Sequence, residues 1–208
     1  MEGGIKMTKT DERNELHKAI WGIADSLRGS VSGWEFKAYV LGALFYRFIS
    51  EKLETSINAA EQRGGNKSFV YGDLSDAAAS KAKKAIVGKL GYFISPSHLF
   101  RNVYAEAEKN KNLNVTLGEV FEEIEGSAKG TESEKDFKDL FTGMNFNSTL
   151  NLGATVDERN EKLADLLDGV AKMKLGDFKD NSIDTFGDAY EYLMKMYATF
   201  AGKSGGEF

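Results

Sequence analysis

No cysteine, a single proline and only two histidines occur among the 208 residues. The absence of thiols rules out a disulfide framework and a thiolate metal site. His17 and His98 are too few imidazoles for a histidine-based metal centre, so no metal ligand is assigned. Pro96 is the one proline. A chain so poor in proline, with long segments of 3.6-residue apolar period, reads as mainly helical, its 22 glycines acting as punctuation. Positive charge is also in short supply. The 27 Lys+Arg against 32 Asp+Glu give a net charge of -5, so any phosphate contact must be local. The first ten residues lack the apolar segment of a signal peptide, which predicts a soluble, cytoplasmic protein. Met7 is an alternative start. No G-x-S-x-G, H-E-x-x-H or G-x-G-x-x-G sequence occurs, and no catalytic residue is assigned.

What the sequence does have is one dense apolar stretch, residues 34–53. Phe36, Val40, Leu44 and Phe48 step by four, and Leu41, Phe45 and Ile49 step beside them. Trp34, Tyr39, Tyr46 and Leu53 fill the rest of the circumference, which predicts a helix buried on nearly all sides. The rival is a membrane span, for which ~20 residues suffice. Arg47 would sit well inside such a span, and Glu35, Lys37, Glu51 and Lys52 also oppose it. The expected fold is all-α: a multi-helix bundle around a buried central helix, with no membrane partner.

A first helix is expected over residues 11–27, closed by Gly29. Ser32 and Glu35 form a capping box for the central helix, which continues through Ile57 to Gln62 and stops at Arg63-Gly64-Gly65-Asn66. Residues 67–72 read as a loop. A third helix over residues 75–90 turns Ala78, Ala82, Ala85, Ile86 and Leu90 inward and ends at Gly91. It carries Lys81, Lys83, Lys84 and Lys89, the most basic stretch of the chain, which is either a solvated face or a phosphate-binding patch. Ser97 reads as the N-cap of a helix bearing Leu99, Phe100, Val103 and Tyr104, with His98 an ordinary surface or half-buried residue in its first turn. Thr116 with Glu119, Thr131 with Glu134 and Thr155 with Glu158 each predict a capping box ahead of an apolar stripe. Glu119, Glu122, Glu123 and Glu125 read as a solvated face, because they have no metal-loop spacing. A last amphipathic helix is expected from Asp184, with Phe186, Tyr190, Leu193, Tyr197 and Phe200 on one face.

Gly202-Lys203-Ser204 is not a phosphate-binding loop: Tyr197 stands where that motif needs its first glycine, and a helix rather than a strand precedes it. Two other stretches do carry a resemblance. One is Trp21-Gly22-Ile23-Ala24-Asp25-Ser26-Leu27-Arg28-Gly29, followed by Phe36-Lys37 and Leu44-Phe45-Tyr46-Arg47-Phe48-Ile49-Ser50. The other is Phe186-Gly187-Asp188-Ala189-Tyr190-Glu191-Tyr192-Leu193, running into Gly202-Lys203-Ser204-Gly205-Gly206-Glu207-Phe208. Weaker similarity lies between them, in Gly91-Tyr92-Phe93-Ile94-Ser95-Pro96, and from Leu152-Gly153 through Arg159-Asn160. In order and spacing the chain resembles the N-terminal region of the modification subunit of type I restriction-modification systems.

That resemblance implies a helical domain placed ahead of a methyltransferase domain that uses S-adenosylmethionine to methylate adenine N6 on a flipped base in DNA. The catalytic Asn-Pro-Pro-aromatic motif of such enzymes is missing here, since Pro96 follows Ser95. The expectation is a non-catalytic domain: residues 1–10 a flexible extension, 11–201 the helical domain, and 202–208 a linker. Gly205, Gly206, Glu207 and Phe208 would then lead into a cofactor site that lies outside this sequence. The implied partners are a specificity subunit, a second modification subunit, a restriction subunit and duplex DNA. Lys81, Lys84 and Lys89 are the DNA-binding candidates, as phosphate contacts that carry no sequence information. A stand-alone helical interaction module unrelated to DNA is the alternative.

Overall fold

The computed structural model describes residues 33–138, 141 and 143–173. The expected helices over 11–27 and from Asp184, the Ser32–Glu35 capping box and the Gly205–Phe208 tail lie outside the described residues. Within them the chain forms only helices and turns. Helix α1 spans Gly33–Arg63, followed by a 3-10 turn at Tyr71–Asp73, α2 at Asp76–Ser80 and α3 at Lys83–Leu90. A second 3-10 turn at Pro96–His98 leads into α4, Phe100–Glu106. The remaining helices are α5 at Leu113–Ala128, α6 at Glu134–Lys138, α7 at Thr149–Leu152 and α8 at Val156–Ala171. The all-α bundle is therefore as expected. No helix among the described residues is long and apolar enough to cross a membrane.

Helix α1 is the hub. Tyr39, Val40, Leu44, Phe45, Tyr46, Ile49 and Leu53 are all buried, so every side of its middle is covered. It packs against α8, α4 and the first 3-10 turn, while α5 joins α8 and α6 on the far side. A continuous aromatic cluster fills the interior. Phe121 meets Phe141 edge-on at 4.2 Å and Tyr46 at 5.4 Å, and Tyr46 meets Phe100 at 5.4 Å. Edge-to-face and tilted contacts of this kind add to simple area burial. Buried tyrosines need a partner for the hydroxyl, and here each donates to a backbone carbonyl of another segment. Tyr46 reaches His98 O at 2.5 Å, Tyr92 reaches Ile49 O at 2.9 Å and Tyr71 reaches Ile94 O at 2.8 Å. The helix ends where the glycines predict, with Gly65 at φ 104.

Several cap readings need correction. The Thr155–Glu158 box is present in both directions at α8. Helix α5, however, starts at Leu113, a turn ahead of Thr116, whose hydroxyl instead accepts from Asn110 Nδ2 at 2.9 Å. Thr131 donates to Ala128 O and Gly91 O rather than capping α6, while Glu134 accepts from Gly130 N at 2.8 Å. Ser97 is turned toward Asp76, donating from its hydroxyl at 2.6 Å, and Leu99 stands at the start of α4. In each case a tertiary or neighbouring backbone partner competes for the same short side chain.

Candidate nucleic-acid interface

The basic stretch is two helices, not one. Ser75 caps α2 by accepting from Ala78 N at 3.3 Å. The backbone then tightens, because Lys81 N bonds to Ala78 O and Ala82 N to Ala79 O, three residues back instead of four. Regular winding resumes at α3. Ala79 and Ile86 point inward, whereas Ala78, Ala82 and Ala85 are exposed, opposite to the expected face. Alanine carries too little apolar area to fix the phase of a short helix, so the bulkier Ile86 decides it.

Lys81 sits at the junction of the two helices, Lys84 in the first turn of α3 and Lys89 in its last, and all three are exposed. None of their ammonium groups has a hydrogen bond or ion pair to a described residue. Lys83 differs: its ammonium lies 5.0 Å from the ring centre of Phe93, a cation–π contact. The acids nearest in sequence are already engaged. Asp73 accepts from Arg101 Nη2 at 2.8 Å, and Asp76 accepts from Ser97 N at 2.9 Å. Arg101 also reaches Glu54 at 3.1 Å, which ties the first 3-10 turn to α1 and α4. The three lysines, all on the α2–α3 unit, thus have no ion-pair partner among the described residues. Beside them an open groove of about 340 Å³ runs between Ala78, Ala82 and Ala85 on one wall and Ile57 and Phe69 on the other.

Two clusters escape the sequence reading. Glu123, expected on a solvated face, is half-buried; it accepts from Ser95 N at 2.9 Å and Ser95 Oγ at 2.6 Å and bonds His98 Nδ1 at 2.9 Å. The hydrogen bond to Glu123 raises the His98 pKa, against burial, which lowers it. Burial pushes the Glu123 carboxyl up, but the bonds from His98 and Ser95 together outweigh it and leave it lowered. Nothing in the sequence pairs residues 25 positions apart.

The second cluster is Arg47. Its Nε bonds Glu51 Oε1 at 2.7 Å, and its Nη1 donates to the carbonyls of Val170, Ala171 and Met173 at 2.6, 3.1 and 2.8 Å. The last carbonyls of a helix lack regular i+4 partners; at α8 Val170 O also accepts from Met173 N at 3.2 Å, and a cation there suits the helix dipole. The one available signal was a cation inside an otherwise apolar helix. The stretch Leu44-Phe45-Tyr46-Arg47-Phe48-Ile49-Ser50 thus has a packing explanation, since Ser50 Oγ also accepts from Phe100 N at 3.2 Å.

Comparison with known proteins agrees with this architecture. The family model described as HsdM N-terminal domain matches residues 16–170, and the model described as N-6 DNA Methylase matches residues 181–208. The chain is 48% identical over 211 residues to the "Type I restriction enzyme MpnII methylase subunit" of Mycoplasma pneumoniae, covering 98% of this chain and 38% of that protein. A crystal structure of a type I restriction-modification system methyltransferase subunit from Streptococcus thermophilus shares the fold, with a TM-score of 0.64 at 24% identity over 90% of this chain and 39% of that one. The chain thus spans about two fifths of the length of these relatives. Nothing in these matches supports a free-standing module unrelated to DNA. The match over residues 16–170 is long enough to decide the matter, and the chain belongs to the HsdM N-terminal domain family of type I restriction-modification methylase subunits.

Proposed function

We propose that this helical domain serves a DNA adenine-N6 methyltransferase subunit without itself performing chemistry. It helps assemble the complex and close it around duplex DNA while a base is flipped for methylation. One observation carries the reading: the N-terminal-domain match ending at residue 170 is followed, about ten residues on, by the N-6 DNA Methylase match at 181–208. The described residues contain no strand, hence no strand-and-glycine-loop cradle for S-adenosylmethionine, and we assign that cofactor to the methylase region. The partners follow from the reading: a specificity subunit that reads sequence, a second modification subunit, a restriction subunit and DNA, all in the cytoplasm.

Lys81, Lys84 and Lys89 are the domain's contacts to phosphate in this reading. What supports it is their exposure, their freedom from described acids and their placement on one unit. Unstacking a base costs a few kcal/mol and is offset by contacts such as these. Each phosphate contact releases counterions, so affinity falls with salt. In the assembled methyltransferase, reversing charge at Lys81, Lys84 and Lys89 together should weaken binding about equally on all duplexes and flatten the slope of log affinity against log salt by roughly 2–3. An unchanged slope in a correctly assembled complex would assign these lysines to solvent. Loss of subunit assembly would assign them to a protein partner.

A further inference from the structure

Arg47 does more than end a helix. A C-terminal cap is commonly supplied locally, by a glycine just past the last turn. Here Lys172 and Met173 follow Ala171; Lys172 N bonds Asp168 O and Met173 N bonds Val170 O locally, and a side chain more than 120 residues earlier in the chain adds a second set of donors. The two hydrogens of Nη1 are shared among three carbonyls, and the third belongs to Met173, beyond the end of α8. The clasp therefore fixes not only the helix end but the direction in which the chain leaves it. Burial of the Met173 side chain, 2% exposed, holds the same point from the other side. Glu51 sets the guanidinium from behind through Nε. With Nε and Nη1 both engaged, the planar fork has little freedom to turn.

The segment matching N-6 DNA Methylase starts at residue 181. Eight peptide steps separate it from Met173, and fully extended they reach roughly 28 Å. The start of that region is thus tethered within a short radius of the clasp. We propose that Arg47 is a positioning residue: by fixing the exit of the chain at Met173, it sets the helical domain's orientation to the methylase region, and so the shape of the surface that receives DNA. This rests on the functional reading above. It adds that one guanidinium, together with the buried Met173 side chain, holds that exit.

The test uses the full-length subunit assembled with its specificity partner. Arg47→Met keeps the length and apolar stem of the side chain and removes the fork; Arg47→Lys keeps the charge and loses the planar geometry. Folded content is checked by circular dichroism, and S-adenosylmethionine affinity by calorimetry. For Arg47→Met the expected result is a KM for duplex DNA raised roughly tenfold, with kcat at saturating DNA and cofactor affinity within about twofold of the parent, and a partial return in Arg47→Lys. A folded Arg47→Met complex with unchanged KM would overturn the proposal, as would a kcat that falls only with the folded fraction. If Arg47→Met does not fold, Glu51→Ala decides in its place: it leaves the clasp on the α8 carbonyls but removes the acceptor for Nε and frees the fork, and its KM must rise by a smaller factor in the same direction. Absence of DNA methylation by the unsubstituted complex would instead refute the functional reading, and is distinguished by the parent alone.

Discussion

His98 and Glu123 form a half-buried titratable pair, 2.9 Å apart. Asp76 and Glu119 add their negative charge to that of Glu123 in favouring protonated His98. Because the imidazole pKa is raised above its ordinary 6.5, its stabilising contribution is complete below that pH and is lost as pH rises through the higher folded value. The Glu123 carboxyl, lowered from 4.5, contributes above that pH and loses its part on acidification through the folded value. The pair is therefore strongest between these two ordinary values. We expect His98→Gln, which can still donate to Glu123 but does not titrate, to cost on the order of 1 kcal/mol near pH 6, with the cost shrinking toward pH 8. Thermal unfolding of both proteins across that range checks it, and a pH-independent difference would remove the charge from the account. Individual residues were the least legible scale. Glu123 looked like one of four equivalent acids, and only the turn at Ser95–His98 folding back onto α5 singles it out.

At the level of elements, the central helix was readable because eleven large apolar residues within 34–53 leave no polar face to place toward water. Its C-terminal end was readable from the Arg63-Gly64-Gly65 stop. Cap boxes were less dependable: the Thr155–Glu158 pair has no nearby competitor, whereas Thr131 lies next to Gly91 and Ala128 carbonyls that it serves instead. The α2–α3 break was hidden because an alanine run imposes no phase. Gly42, in the middle of α1, also passed unnoticed. A Cβ there would meet Met144 Sδ at 2.0 Å, so the glycine admits the side chain that closes over the helix. Leu44, 3% exposed on α1, gives the energetic measure of this element. Leu44→Ala should lower the unfolding free energy by ~2–5 kcal/mol in a urea titration, and a loss below ~1 kcal/mol would mean that the hub collapses around the cavity rather than retaining it.

Across the whole molecule, the fold class followed from composition and period, while the distribution of charge did not. A chain with net charge -5 still places on one unit three lysines that have no ion pair to a described residue, while Arg101 and Ser97 hold the acids nearest them in sequence. Those pairings join residues 21 or more positions apart, and no local pattern announces them. The candidate site could be named in sequence, but its freedom from counter-charge is a property of the tertiary structure.

The burial of α1 by α8 also has a consequence in time. A ribosome makes α1 first and α8 more than 90 residues later, at ~5–20 residues per second. For several seconds the longest helix among the described residues has left the ribosome without its cover. Its closing contacts are long-range, from Tyr39 to Asn145 O and from Arg47 to Met173 O, so no early fragment can supply them. Nascent chains arrested with residue 155 outside the exit tunnel should remain open to protease within α1. Chains arrested with residue 173 outside should resist it. Protection at the shorter length would mean that α4 and α5 alone can shelter the helix; without it, α1 is the segment that a holding chaperone must grip until α8 emerges.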